Sequence, residues 1–254
     1  MFRPRIIPVL LLNKDRLVKS VQFKNYNYIG DPINAVKIFN EMKADELVFI
    51  DIAATAENRK ISFDFVKEVG EEANMPFTVG GGIKTLEDIH KVISLGAERV
   101  LIGSQAALNP EFIRHASENF GSSTISVCID VKKNILGKEK VWIQNGKKSL
   151  DYNPEDYARI MEEKGVGEII VQSITKDGTM QGYDIELVKR IVDAVKIPVI
   201  ALGGAGSLKH LSDLYQHSPA SGLAAGSLYV YQGIHKGVLI SYPNHHEKLK
   251  IYES

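Results

Sequence analysis

Two stretches of this sequence copy one another. ADELVFI (44–50) matches VGEIIVQ (166–172), and FDFVKEVGEEANMPFTVGGG (63–82) matches IELVKRIVDAVKIPVIALGG (185–204). The register does not drift: Glu46 stands with Glu168, Pro76 with Pro198 and Gly81 with Gly203, always 122 residues apart. A period that long is not a short solenoid repeat. Each copy is half of a larger unit, and the halves divide at about 1–123 and 124–254.

Each half carries four β-rich runs. They are RIIPVLL (5–11), ELVFID (46–51), FTVGG (77–81), RVLIG (99–103), TISVCID (124–130), EIIVQS (168–173), PVIALGG (198–204) and SGLAA (221–225). Between them lie stretches of helical period, among them DPINAVKIFNEM, FDFVKEVGEEA, TLEDIHKVISLG, NPEFIRHASENF, NPEDYARIMEEKG and DIELVKRIVDAV. Several open on an Asp, Thr or Asn cap. The strands read as nearly continuous apolar runs, as strands covered on both faces do. Eight β-then-α units predict an α/β fold, a (β/α)8 TIM barrel built from two half-barrel repeats and forming one domain over 1–254. KEKVWIQNGKKSL (138–150) holds Asn145-Gly146 between two extended runs, which predicts a β-hairpin inserted after strand five, over the C-terminal face of the barrel.

Composition removes several functions. Lysine plus arginine equals aspartate plus glutamate at 31 each, so no basic surplus draws the chain to nucleic acid. No apolar run approaches the length of a membrane span. The basic start MFRPRIIPVLLLNK lacks a small-residue cleavage pattern and reads as a first strand, not a signal peptide. The single cysteine, Cys128, reads as a small buried hydrophobe in a strand. A cytoplasmic location is therefore expected. No Cys/His spacing suggests zinc, and neither a metal nor a cofactor is expected. His245-His246 reads as part of a solvated polar tail, and His90, His115 and His210 as surface residues of outer helices.

The repeat places glycine turns after strands three and seven, Gly80-Gly81-Gly82 and Gly203-Gly204-Ala205-Gly206. Gly103-Ser104 follows strand four, and Ala225-Gly226-Ser227 follows strand eight. Glycine lets backbone N–H groups approach an anion, and a helix N-terminus behind them adds a favourable dipole. The candidate phosphate-binding residues are thus Gly81, Gly82, Gly103, Ser104 in one cradle and Gly203, Gly204, Gly226, Ser227 in the other. Such a pair suits a ligand with phosphates at both ends; plain tight turns also explain glycine here. Asp177-Gly178-Thr179 after strand six fits either a polar wall between the cradles or a common turn.

Taken together, IIP at the start, DELVFIDI, PFTVGGGI, NPEFI, ISVCID, KDGTMQGYD and PVIALGGAGSLKHL resemble the cyclase subunit of imidazole glycerol phosphate synthase, from Arg5 to about Tyr231. The sister phosphoribosyl isomerase of histidine biosynthesis shares the half-barrel repeat and fits less well. The resemblance implies a glutaminase partner (HisH-like, as a heterodimer) that delivers ammonia through the barrel floor, and a bisphosphate cyclised and cleaved at the top. It also implies two general acid–base aspartates, ending strands one and five. Asp130 matches the second; Leu11 stands where the first is expected. A positioned carboxylate contributes roughly 10² to 10⁴ in rate, and leucine exchanges no proton. Asp15, four residues on, replaces that group only by folding back. The family usually carries Asn where Gly103 stands, a small hydroxyl residue where Gln172 stands, and Ser where Leu202 stands. Lys19, Asp51, Asp130 and Asp177 keep their matching positions, and Asp130, Asp177 and Lys19 are the candidate catalytic residues. For Asp130 an inherited structural role fits as well.

Arg5, Glu46, Arg99 and Glu168 begin strands one, two, four and six. The resemblance makes them a ring of alternating charge that gates ammonia; a stabilising network on the bottom face is the competing reading. A kept floor beneath a depleted ceiling resembles the second cyclase-like copy found beside saccharide biosynthesis genes. That resemblance implies ammonia supply to a sugar amidotransferase of surface polysaccharide biosynthesis. An authentic histidine-pathway cyclase and a non-conducting activator of the glutaminase remain the alternatives. Tyr26 and Tyr28 fall in a long loop after strand one and serve either a lid or simple packing.

Overall fold

The computed structural model describes residues 3–253; residues 1, 2 and 254, the outermost of the 1–254 span, lie outside it. Eight parallel strands run Arg5–Asn13, Leu47–Asp51, Phe77–Gly80, Arg99–Ile102, Ile125–Lys133, Glu168–Ser173, Val199–Leu202 and Gly222–Ala225. Each pairs with the next, and the eighth returns to the first with Arg5 opposite Gly222 and Pro8 opposite Ala225. The sheet is a closed (β/α)8 barrel, and closure removes the parallel edges. Gly81, Gly103, Gly203 and Gly204 lie just beyond their strands rather than within them.

Helices, beginning with Pro32–Glu41, cover the outside between strands. Their starts follow from short polar side chains that accept the free N–H groups of the first turn: Asp31, Ser62, Asn153, Asp184 and Ser207 each do so. Thr85 and Asp88 form a full capping box.

Alternation along the strands sorts side chains into two cores. Outward residues such as Ile6, Leu10 and Phe49 join the helices in one large cluster. Inward residues form a second: Ile7, Val9, Leu11, Val48, Leu101, Ile170, Ile200, Leu202 and Ala224. Burying each large aliphatic chain stabilises the fold by about 1.5–3 kcal/mol. The middle of the barrel axis is therefore hydrocarbon.

The hairpin after strand five is present. Strand five continues past the barrel and pairs antiparallel with Glu139–Ile143, which pairs in turn with Lys148–Ser149 across the Asn145-Gly146 turn. Three expectations need correction. The stretch holding Tyr26 and Tyr28 is no loop: Arg16–Val21 folds back on the end of strand one and pairs with Lys24–Gly30. Val18 and Ile29 are buried there, and that apolar anchoring turns the stretch into a ribbon. His245 and His246 open a helix, His245–Glu253, that packs on Leu208–His217, where the Tyr252 and Tyr215 rings meet edge-on with centroids 5.3 Å apart. Its Tyr252 hydroxyl donates to the Pro4 carbonyl at 2.8 Å. His210 is half-buried, with Nδ1 accepting the Gly206 N–H at 3.1 Å.

Candidate active site

The C-terminal ends of the strands surround a cavity of about 430 Å³. Its wall brings Gly81, Gly82, Gly103 and Ser104 together with Leu11, Cys128, Asp130 and Gln172. Gly82 has φ +69°, and a Cβ there would stand 2.0 Å from the Arg59 carbonyl oxygen, so its turn demands glycine with or without a ligand. Gly103 is different: a Cβ there would meet nothing within 4 Å. Packing therefore does not require that glycine. The N–H groups of Gly82 and Ser104 take part in none of the turn and cap hydrogen bonds among the described residues.

Two ribbons roof this cavity. Phe23 and Tyr26, on the ribbon after strand one, line it from above. The Asn145 amide donates to the Tyr26 hydroxyl at 2.7 Å, and that hydroxyl donates to the Phe23 carbonyl at 2.9 Å. The Gln144 N–H donates to Ser104 Oγ at 2.9 Å. Sequence reading missed Phe23 and Asn145 as site residues; the Asn-Gly turn marked the hairpin tip but not what it would touch.

Asp130 is half-buried at the cavity wall, where burial raises its carboxyl to about 7; the Cys128 thiol at 3.4 Å opposes the shift and Asp177 adds to it. Burial and Asp130 push the Cys128 thiol well up, so it is held as the neutral thiol. Asp177 accepts from Ser20 Oγ at 3.1 Å and Gln172 Nε2 at 3.3 Å, and burial raises its carboxyl against those contacts and the Lys19 charge. Burial lowers Lys19 to about 8, with Asp177 opposing. Its ammonium donates to the Val9 carbonyl at 2.6 Å, beside Gly226 and Ser227. Asp51 is committed elsewhere: it accepts from the Ala53 and Ala54 N–H groups and pairs with Arg59. Asp15 is exposed at the Lys14-Asp15 turn and does not line the cavity, so the fold-back replacement for Leu11 fails.

The raised Asp130 pKa fixes a sign. Folded protein binds more protons than unfolded between about pH 4 and 7, so this group's effect on stability worsens as pH rises through that window. Asp130→Asn is expected to flatten this dependence and, at pH 8, to gain about 1–2 kcal/mol over wild type. Urea unfolding at pH 4, 6 and 8 measures it; a variant that tracks wild type at all three would remove the case for a raised carboxyl.

At the opposite end, the four floor residues do meet, but as a chain rather than a closed ring. Arg5 pairs with both Glu46 and Glu168. Arg99 reaches Glu46 at 3.6 Å and Glu98 at 3.0 Å, and among the described residues no ion pair joins it to Glu168. Thr78 Oγ1 donates to Glu46 at 2.9 Å and Ser126 Oγ to Glu168 at 3.4 Å. These two braces escaped sequence reading, although each stands at the start of a barrel strand. Burial raises the Glu46 carboxyl against the pull of Arg5; burial works against the Arg5 charge too, but Glu168 and Glu46 outweigh it and raise the guanidinium.

Among the described residues no His, Cys, Asp and Glu group is placed to hold a metal ion, and no helix is long and apolar enough to cross a membrane. Fold and site together define a half-barrel-repeat (β/α)8 protein whose cavity, glycine turns and carboxyls stand at the C-terminal strand ends. The family model described as "Histidine biosynthesis protein" matches residues 5–236. Over 253 residues the chain is 46% identical to a Leptospira borgpetersenii protein with the provisional name imidazole glycerol phosphate synthase subunit HisF, covering 99% of this chain and 100% of that one. It is 46% identical to the provisionally named subunit hisF2 of Pseudomonas aeruginosa (96% and 97% covered) and 42% to subunit HisF of Alkaliphilus metalliredigens (92% and 93%). The chain belongs to the histidine biosynthesis protein family, among its HisF-type subunits of imidazole glycerol phosphate synthase.

Proposed function

We propose that this chain is an ammonia-conducting HisF-type subunit that works with a separate glutaminase, and that the ammonia goes to a sugar amidotransferase of surface polysaccharide biosynthesis. The single observation that carries the reading is Leu11. It closes an inner column of hydrocarbon at the point where proton transfer needs a carboxylate. Neutral NH₃ crosses such a column at little cost, whereas ammonium would lose its hydration without repayment. The charged floor below adds support, since its charges balance and only one long contact holds Arg99 to Glu46. Arg5, Glu46, Arg99 and Glu168 would then form the entrance, and Gly81, Gly82, Gly103 and Ser104 an anion site beside the exit.

The test is a reconstituted amidation run with either glutamine or free ammonium. Glu168→Leu removes a charge from the entrance and adds bulk. Glutamine-driven product is expected to fall while ammonium-driven product holds. Equal retention of both would leave the floor as a stability network and the chain as a non-conducting activator. A second reading, the histidine-pathway cyclase itself, draws on Asp130: it lines the cavity with a carboxyl near neutrality, as an acid–base group needs.

A further inference from the structure

Positive charge is gathered on one ribbon. Of 31 basic and 31 acidic side chains, residues 131–151 hold six and two, leaving 25 against 29 elsewhere. Both acids of this hairpin are engaged, Glu139 by Arg190 and Asp151 by Lys140. Lys133, Lys138, Lys147 and Lys148 are exposed, and among the described residues no ion pair holds any of them. The tip of the ribbon is apolar. Ile135 is 103% exposed and Leu136 76%. Their turn is braced from within. Asn134 Oδ1 accepts the Leu136 N–H at 2.9 Å and the Lys138 N–H at 3.1 Å, and the Asn134 N–H donates to the Lys138 carbonyl at 2.8 Å. A single exposed aliphatic is ordinary. Here two adjacent ones stand on a fixed turn that starts beyond Asp130, up to about 17 Å past the cavity wall. The fold gains nothing from presenting them.

We propose that this tip docks the chain on an anionic phospholipid surface. Ile135 and Leu136 enter the acyl boundary, and Lys133 and Lys138 beside them meet lipid phosphates. A second copy of the chain would set lysine against lysine. Composition disfavours a protein partner: protein interfaces are depleted in lysine and enriched in arginine, and every cation of the ribbon is lysine. Lysine suits a headgroup layer, where its stem lies along apolar surface and its ammonium stays wet. Each lysine near an anionic leaflet strengthens binding about fivefold. Contact of this kind lies on the surface and needs no spanning helix. Nor does it depend on where ammonia is delivered.

The test is flotation of the full chain with vesicles of phosphatidylcholine alone or mixed equally with phosphatidylglycerol. Binding is expected to the mixed vesicles only, and to weaken as salt rises. Ile135→Ser combined with Leu136→Ser should weaken it at least about tenfold. Lys133→Glu combined with Lys138→Glu should weaken it at least about 25-fold. All four side chains are exposed, so both variants are expected to fold, which circular dichroism checks. No uptake by the mixed vesicles overturns the proposal and leaves the tip for an acidic protein. Uptake unchanged in either pair overturns it too. Without the serine effect the chain adsorbs by charge alone, and without the glutamate effect another face does the binding.

Discussion

Given saturating ammonia and the bisphosphate of the histidine pathway, the purified chain is expected to turn over at least about 10²-fold more slowly than a relative with aspartate at the end of strand one. Two positioned groups are needed, one to take a proton and one to give it. Asp130 is at hand, with its carboxyl raised to about 7. Its counterpart is Leu11, 8% exposed and packed among hydrocarbon. Asp15 is out of reach, and Asp177 is engaged by Ser20 and Gln172. Supplying ammonia directly keeps the glutaminase out of the comparison. Turnover within about tenfold of such a relative would end the conduit reading, because a rate that high requires a working acid–base pair. Leu11→Asp should recover rate only as far as the bisphosphate binds, so binding and turnover are measured on the same sample.

Glu46→Ala is expected to cost about 3–5 kcal/mol of folding stability, read by urea unfolding at neutral pH. Glu46 is 1% exposed, joins Arg5 to Arg99, and accepts from Thr78. Removing it leaves two guanidiniums facing each other at a narrow mouth, with Arg5 keeping Glu168 alone. A loss below about 1 kcal/mol would mean that water screens these charges as it does surface pairs. Stability and ammonia transfer need not move together. A large loss with intact glutamine-driven amidation would assign the floor to structure.

Barrel and half-repeat were legible because they rest on long-range pattern. Eight apolar runs at matching offsets leave few other topologies, and Glu46 and Glu168 carried the register of both halves. The glycine turns were legible for the same reason. What the turns did was not. Gly82 is forced by the Arg59 carbonyl, Gly226 faces a lysine from another ribbon, and Gly103 faces open space, yet all three look alike in one dimension. Likewise Lys14-Asp15 lacks the Asn-Gly or Asp-Gly pair that marks a two-residue hairpin turn, so its ribbon was not legible. The His245–Glu253 helix was hidden by its composition: buried Ile251, the Tyr252 hydroxyl and ring, and the Lys248–Asp45 ion pair hold it, with no apolar stripe to announce it.

The bond from Asn145 to Tyr26 joins an insertion of the second half-barrel to one of the first. A single neutral hydrogen bond contributes about 1 kcal/mol. Releasing that one bond is therefore a modest toll, while the Phe23 ring against Gly146 still joins the two ribbons. An asparagine-to-alanine change at this clasp would be felt in exchange rates before it was felt in melting temperature.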